Sequence, residues 1–297
     1  MAAPAPLSSI FSPKIRGRRV EEVGARGGGF TLRGAVETLV EYLPGEEECV
    51  SIYVNGSKVD HATSLKGAEV SRRLTGLRGR ITIRHGVNVP MGSGFGTSAS
   101  LALTTILGLF GIAGRGISIE AACGLVHGIE VECGTGLNSE AGFLSEGLVL
   151  VVAEGAPPKL RVDSIPLPHD VLLISVAANP VETPKTLGQI DLGKVEEVGD
   201  RKLDEILEDP TPENFLQKSR EFALESGLAT EGVREIFEEM EKLPTIGYAQ
   251  NMIGEACHAL VSRRDSRKIE ERIRRAFPEY FVASFEVGGS IRSSTGP

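Results

Sequence analysis

The chain has 297 residues, of which 41% are hydrophobic and 24% are charged. These fractions are close to globular averages and exclude a disordered or low-complexity polymer. Lysines and arginines number 32 and aspartates and glutamates 40, which gives a net charge of -8. Because a negatively charged protein repels a phosphate backbone, we expect no nucleic-acid partner.

The cysteines and the apolar runs indicate where the protein resides. Cys49, Cys123, Cys133 and Cys257 show neither metal-ligand spacing nor the clustering of a disulfide framework. They predict reduced thiols and hence a cytoplasmic protein. The strongly apolar run 101–113 is shorter than the about 20 residues that cross a bilayer, so we expect no membrane partner.

The first part of the chain is glycine-rich and predicts mainly strands. Alternating residues followed by Asn55-Gly56 indicate a hairpin with a two-residue turn. Ser118 is a suitable N-cap for a helix, and Pro90 ends a strand just before a glycine-rich segment. The patterns predict strands over 30–43, 49–54, 80–89, 147–153 and 160–165, and helices over 97–111 and 118–132.

The second part is dominated by charged sequence with helical periodicity. Thr211-Pro212-Glu213 combines an N-cap, a proline at the first helical position and an acid in the first turn. The patterns predict helices over 212–226, 230–242, 246–263 and 264–276, and strands over 171–177 and 280–287. The sequence therefore predicts an α+β fold with two lobes, residues 1–165 and 166–297.

The most informative segment is the glycine loop, Gly92-Ser93-Gly94-Phe95-Gly96-Thr97-Ser98. Alternate glycines permit positive φ and close approach of a ligand, and the following helix directs its free N–H groups towards the loop. The segment lacks the lysine of a P-loop and the acidic residue that marks a dinucleotide site. It predicts a phosphate cradle, and the alternative is a tight strand-to-helix turn without a ligand.

The segment from Pro90 to Ala99 resembles the ATP-binding signature of the GHMP small-molecule kinases. Its form, GSGFGTSAS, is similar in particular to the archaeal pantoate kinase family. Further segments resemble that family in the same order along the chain: 24–30, 127–137, 155–157, 184–186 and 250–255. The resemblance therefore covers most of the chain.

The resemblance implies the two-lobe GHMP kinase fold with the site in the cleft between the lobes. It implies phosphorylation of the 4-hydroxyl of pantoate in coenzyme A biosynthesis, with ATP and Mg²⁺ as cofactors and a homodimer as the assembly. In this interpretation the glycine loop binds ATP. Two alternatives stay open, a GHMP kinase for another hydroxy acid or alcohol and a nucleotide-binding protein without catalysis.

Glu130 and Glu132 lie near the end of the predicted helix 118–132. Side chains at i and i+2 point to different faces, so only one of them can enter a site. The resemblance assigns Glu130 to Mg²⁺, with the Ser98 hydroxyl in support, and Mg²⁺ does prefer few carboxylates plus phosphate oxygens. The alternative is that both glutamates lie on a solvated helix face.

On the acceptor side the sequence departs from the family. Where the family has an aspartate two residues after Thr-Gly-Leu, this chain has Ser139, and a histidine of the family's first strand is absent from residues 5–11. Ser139 can hydrogen-bond the acceptor but is a poor base. Either Glu140 replaces the aspartate after a one-residue shift, or positioning alone suffices. We favour positioning, because a one-residue shift turns a helical side chain by about 100°.

Arg26 lies among glycines and is predicted to bind the carboxylate of pantoate, since a guanidinium matches a carboxylate in bidentate geometry. The alternative is an exposed arginine of a turn. His127 lies on an apolar helix, where a lone histidine is typically structural, and we assign it no role.

Overall fold

The computed structural model describes residues 1–15, 19–178 and 190–294. Within these ranges the strands are β1 (Ala2–Lys14), β2 (Gly24–Pro44), β3 (Cys49–Val54), β4 (Ser57–Lys58), β5 (Gly79–Val87), β6 (Leu148–Ala153), β7 (Arg161–Ile165), β8 (Val171–Ala177), β9 (Gly247–Gln250), β10 (Ala256–Ser262) and β11 (Phe281–Phe285). The helices are α1 (Ala62–Thr75), α2 (Thr97–Ile112), α3 (Ile119–Cys133), α4 (Ala141–Leu144), α5 (Leu192–Glu208), α6 (Pro212–Ser226), α7 (Glu231–Met240) and α8 (Arg263–Ala276), together with a short 3₁₀ turn, Val20–Glu22.

The first sheet is mixed and is organised around the long strand β2. Its order is β4-β3-β5-β2-β6-β7, and β1 pairs with β2 outside this path. The β3–β5 pair is parallel, whereas β2 is antiparallel to β1, β5 and β6. Such a sheet, with helices packed on it, confirms the predicted α+β class.

The second sheet is antiparallel, with the order β11-β8-β10-β9. The predicted division at residues 165 and 166 falls between the two sheets, but one hydrophobic core joins them. In this core the ring of Phe30 on β2 lies edge-on to that of Phe215 on α6, with centroids 5.9 Å apart. The aromatic contact fixes the second half of the chain against the first sheet.

Several local predictions are confirmed. Asn55 and Gly56 both have positive φ and join β3 to β4 in a two-residue hairpin. The hydroxyl of Ser118 accepts a hydrogen bond from Ala121 N and caps α3, and Thr211 caps α6 in the same way. The strand predicted over 171–177 has those bounds in the structure.

The helix predicted over 246–263 is wrong. The segment forms β9 and β10, which pair antiparallel through a turn that contains Asn251 and Gly254. Both strands are almost entirely buried. Short apolar runs of this kind carry no periodicity that separates a buried strand from a buried helix, and the glycine and asparagine between them were the overlooked turn signal. Helices α1 and α5 were not predicted individually.

The described residues contain no helix that is both long and apolar enough to cross a membrane. The longest apolar helix, α2, has 16 residues and is buried on most of its surface by the rest of the protein. The family likeness at residues 184–186 lies outside the described residues.

Candidate active site

A cavity of about 580 Å³ lies where β1, β2, the glycine loop and the turn after α3 meet. Its volume is typical of a small-molecule site. The lining includes most of the residues that the sequence singled out: Arg26, Gly92, Gly94, Phe95, Gly96, Thr97, Ser98 and Ser139. Ser93, which belongs to the same loop, is buried and does not line the cavity.

The glycine loop has the backbone of an anion cradle. Gly92, Gly94 and Gly96 have φ of 78°, 76° and 56°, and they alternate with Ser93 and Phe95. Alternation between left-handed and ordinary backbone turns successive N–H groups towards one concave side, which binds anions. No side chain caps the start of α2, so its first N–H groups remain available to a ligand.

The glycines of the loop also permit close packing behind it. A Cβ added at Gly94 would lie 2.7 Å from Asn251 Cβ and 2.9 Å from Met252 N. A Cβ added at Gly96 would lie 2.5 Å from the carbonyl oxygen of Pro6. Glycine is therefore needed here because the loop rests directly on two other backbone segments, as well as for its positive φ.

Glu130 lies next to the glycine loop and contacts Ser98. Its Oε1 accepts hydrogen bonds from Ser98 Oγ at 2.5 Å and from Thr135 Oγ1 at 3.2 Å. Its Oε2 is buried and makes no hydrogen bond of normal geometry to any described residue. Burial raises the pKa of Glu130 to about 7, although the neighbouring hydroxyls oppose this rise.

Glu132 points away from the site. It is exposed and pairs with Lys66 at 2.7 Å, whereas the side chain of Glu130 is buried. The two glutamates thus occupy different faces of α3, as their spacing predicts. This leaves Glu130 as the carboxylate of α3 beside the glycine loop.

Ser139 lines the cavity and lies next to Glu130. A Cβ added at Gly136 would come against both Glu130 Oε2 and Ser139 Oγ, which shows how closely these oxygens approach the turn. A carboxylate in place of Ser139 would stand beside the buried carboxylate of Glu130 and would be repelled by it. Serine at this position is therefore compatible with Glu130.

Glu140 is fully buried and is not among the residues that line the cavity. Its Oε1 accepts hydrogen bonds from His127 Nδ1 at 2.8 Å and from Asn138 Nδ2 at 3.0 Å. His127 Nε2 donates to the carbonyl oxygen of Val20 at 3.0 Å. The carboxylate is held away from the acceptor side, so this geometry does not support Glu140 as the base and agrees with the structural role expected for His127.

Asn138 connects β2 to the turn that carries Ser139, a contact that the sequence did not indicate. Its Oδ1 accepts a hydrogen bond from Ala25 N at 2.9 Å, and its Nδ2 donates to the carbonyl oxygen of Gly155 at 2.8 Å. Asn138 has a positive φ of 64°, which asparagine tolerates better than most residues. Since Ala25 precedes Arg26 and Asn138 precedes Ser139, this contact fixes the two lining residues relative to each other.

Arg26 is only partly exposed, with 20% of its side-chain surface accessible. Its Nη1 donates to Asp200 Oδ1 at 3.2 Å and its Nη2 donates to Asp204 Oδ1 at 2.8 Å, both on α5. Asp200 also accepts hydrogen bonds from Lys14 and Ser12. The guanidinium is thus oriented by acids of α5, partners that the sequence did not indicate.

Around Arg26 the wall of the cavity is apolar. It includes Phe11, Ile15, Val23, Val151 and Leu192. Phe11 and Val151 are neighbours of Gly27 on opposite sides, because β1 and β6 both pair with β2 there. A ligand that places an anionic group at Arg26 therefore meets an aliphatic surface beside it.

The chain is similar to known proteins in both sequence and fold. Residues 62–143, which include the glycine loop and α3, match the family model for the GHMP kinases N terminal domain. The fold is similar to that of a solved "Phosphotransferase related to CoA biosynthesis pathway", with a TM-score of 0.84 and 24% identity over 96% of this chain and 94% of that one. The fold and site therefore define a GHMP kinase, a phosphotransferase with an alcohol group as acceptor.

Curated relatives show to which family within this class the chain belongs. The chain is 30% identical to the pantoate kinase of Methanocaldococcus jannaschii over 86% of this chain and 89% of that protein. It is 26% identical to the pantoate kinase of Thermococcus kodakarensis over 90% and 89% of the two chains. The chain belongs to the pantoate kinase family, and the resemblance seen in the sequence is confirmed.

Proposed function

We propose that this protein transfers the γ-phosphoryl group of ATP to the 4-hydroxyl of pantoate in coenzyme A biosynthesis. The observation that carries the proposal is that one cavity is lined by both the glycine loop and Arg26. An anion cradle and a cation for a carboxylate are the two recognition elements that a kinase of a small hydroxy acid requires.

The glycine loop binds the triphosphate of ATP. The N–H groups of the loop and of the first turn of α2 face the phosphates and stabilise their negative charge. Ser98 is the second residue of this helix and lines the cavity, so its hydroxyl reaches the same phosphates. Positioning by backbone groups requires no lysine, in agreement with the absence of one from the loop.

Glu130 and Ser98 hold the Mg²⁺. The unpaired, buried Oε2 of Glu130 beside hydroxyl groups fits a hard cation that takes oxygen ligands. The described residues contain no group of three or more acidic, histidine or cysteine side chains that would hold a metal by themselves. A single carboxylate is enough for Mg²⁺, which usually completes its shell with phosphate oxygens and water and would neutralise the charge of the phosphates here.

Arg26 and its apolar surroundings select the acceptor. Pantoate has one carboxylate, two hydroxyls and two methyl groups on a single carbon. Arg26 binds the carboxylate, and the aliphatic side chains of Val23, Val151 and Leu192 cover the methyl groups. Because Asp200 and Asp204 hold the guanidinium, little side-chain entropy is lost on binding.

Catalysis proceeds without a carboxylate base. Ser139 lines the cavity and its hydroxyl hydrogen-bonds the acceptor, whereas the carboxylate of Glu140 is turned towards His127 and Asn138. In phosphoryl transfer most of the acceleration comes from positioning and charge stabilisation, so a base is not essential. The pairing of two copies in a homodimer stays a prediction.

Product analysis tests the proposal. The protein is incubated with ATP, Mg²⁺ and pantoate, and the product is examined by ³¹P NMR. Phosphate on the 4-oxygen is coupled to two protons, and phosphate on the 2-oxygen is coupled to one. We expect the first pattern, whereas ATP binding without any phosphorylated acceptor would identify a nucleotide-binding protein without kinase activity.

A further inference from the structure

We propose that Asn251 and His258 are positioning residues that set the orientation of the Ser93–Gly94 peptide in the glycine loop. Neither residue lines the cavity, and both are completely buried. The inference rests on the proposed binding of ATP at this loop. It goes beyond that proposal because it explains the geometry of the loop by hydrogen bonds from β10 and from the turn before it.

The contacts form a continuous chain from β1 to the loop. Ser9 Oγ lies 3.0 Å from His258 Nε2, and His258 Nδ1 lies 2.8 Å from Asn251 Oδ1. Asn251 Nδ2 donates to the carbonyl oxygen of Ser93 at 3.1 Å and to Ser175 Oγ at 3.2 Å. Every polar side-chain atom of Asn251 and His258 therefore has a partner.

The loop carbonyl fixes the direction of each hydrogen bond. A carbonyl oxygen only accepts, so the amide nitrogen of Asn251 must face Ser93, and Oδ1 must then face His258. His258 consequently carries its proton on Nδ1, and its Nε2 accepts from the hydroxyl of Ser9. Exchanging the two amide atoms of Asn251 would break this arrangement at both ends.

This orientation decides which way the loop N–H points. In a trans peptide the carbonyl and the N–H point in opposite directions. Because Asn251 holds the Ser93 carbonyl on the buried side, the N–H of Gly94 is directed to the opposite side, where Gly94 lines the cavity. Asn251 thus prepares a donor for phosphate before ATP arrives.

Neighbouring contacts hold the next peptide in the same way. The carbonyl oxygen of Gly94 accepts a hydrogen bond from Ser8 N at 3.2 Å, and the carbonyl oxygen of Ser8 accepts one from Met252 N at 2.8 Å. The N–H of Phe95 is therefore directed away from Ser8. Two successive donors of the cradle are oriented by β1 and by the turn between β9 and β10.

A matched pair of variants at His258 tests the proposal. The amide nitrogen of asparagine takes the place of Nδ1, whereas that of glutamine takes the place of Nε2. His258→Asn preserves the donor to Asn251 and is expected to change the ATP Kd less than about threefold. His258→Gln removes that donor and is expected to raise the ATP Kd and KM about tenfold, with the KM for pantoate unchanged.

Asn251→Asp and Ser175→Ala provide the second comparison. Asn251→Asp replaces the donor to the Ser93 carbonyl with an oxygen and is expected to raise the ATP Kd tenfold or more. Ser175→Ala removes the other acceptor of the same amide and leaves the loop contact intact, so the ATP Kd stays near that of the wild type. Calorimetric titration with ATP and thermal unfolding of all four variants give affinity and stability separately.

If all four variants lose stability while the ATP Kd stays within about twofold of the wild-type value, the network is structural only and the proposal is wrong. A wild-type protein that binds no ATP would contradict the proposed function instead, and the positioning role with it. Equal loss of affinity in His258→Asn and His258→Gln would also contradict the assigned hydrogen-bond directions.

Discussion

At the scale of single residues, two buried glutamates on either side of one turn have different partners and therefore different chemistry. Glu130 lies beside the glycine loop and faces the hydroxyls of Ser98 and Thr135, a setting that suits a cation. Glu140 faces His127. Burial alone would lower the pKa of His127, but the hydrogen bond to Glu140 raises that pKa above its ordinary value. We propose that this buried pair holds the turn in place and takes no part in the reaction.

The first prediction concerns Glu140→Gln. The amide keeps an acceptor for Asn138 but removes the charge that pairs with His127. We expect the free energy of unfolding to fall by about 1 to 3 kcal/mol, with kcat within about threefold of the wild-type value. Urea unfolding and steady-state kinetics measure the two effects. A loss of about 10²-fold in kcat at unchanged stability would make Glu140 the base after all.

The second prediction concerns His258 and pH. Burial lowers the pKa of His258 to about 3, so between pH 6.5 and 3 the unfolded chain binds a proton that the folded protein does not. Stability is therefore lost as pH falls through this window. Relative to His258→Asn, which cannot titrate, the wild type should lose about 2 kcal/mol of unfolding free energy between pH 7 and pH 5. Parallel pH profiles for the two proteins would contradict the neutral, buried histidine.

The sequence predicted the cavity-lining residues better than it predicted their partners. Gly92 to Ser98 carry their own signal in residue type and spacing, and the spacing of Glu130 and Glu132 indicated that only one faces inward. Asn138, Asn251 and Asp200 act through contacts between residues more than 100 positions apart in sequence. Their positions follow only from how distant segments of the chain pack together.

At the scale of elements, the glycine loop depends on the segments behind it as much as on its own glycines. Asn251 and Met252 belong to the turn between β9 and β10, which the sequence assigned to a helix. If residues 246–263 formed a helix, there would be no turn at Asn251 and Met252 to pack against the glycine loop. The wrong prediction thus concealed the contact that supports the backbone of the glycine loop.

The third prediction compares two glycine variants of the α2 region. Gly94→Val is expected to abolish ATP binding, because the added side chain would collide with Asn251 and Met252 at a positive φ and displace the loop. At Gly111, near the other end of α2, an added Cβ meets no atom within 4 Å, so Gly111→Val is the matched control. Calorimetric titration should show ATP binding for the second variant alone. Normal ATP binding by Gly94→Val would remove the loop from the site.

The fourth prediction concerns the contact between β2 and α5. Arg26→Gln should raise the KM for pantoate by about 10- to 100-fold, the effect of losing charge-assisted hydrogen bonds to a carboxylate, with the KM for ATP unchanged. Arg201→Gln is the control, because Arg201 lies on α5 and pairs with Glu225 on the exposed surface. An equal effect of the two variants on KM would show that Arg26 acts only through the stability of α5.

At the scale of the whole molecule, one core joins two sheets, and the cavity forms where the long strand β2 meets elements from both halves of the chain. The α+β class was predictable because alternation, caps and turns are local signals. The packing of the second half of the chain on the first sheet was not predictable, because it depends on buried contacts such as that of Phe30 with Phe215. In our proposal, recognition of the acceptor depends on this long-range packing, because Arg26 of β2 is held by acids of α5.

An acceptor screen coupled to ADP release tests the central claim most directly. Pantoate, mevalonate and homoserine are compared at fixed ATP and Mg²⁺, and kcat/KM is measured for each. We predict that pantoate is preferred by about 10²-fold or more, because its carboxylate meets Arg26 while its methyl groups meet the apolar wall. A higher kcat/KM for another alcohol, or no ADP release with any acceptor, would contradict the assignment of this protein as a kinase of pantoate.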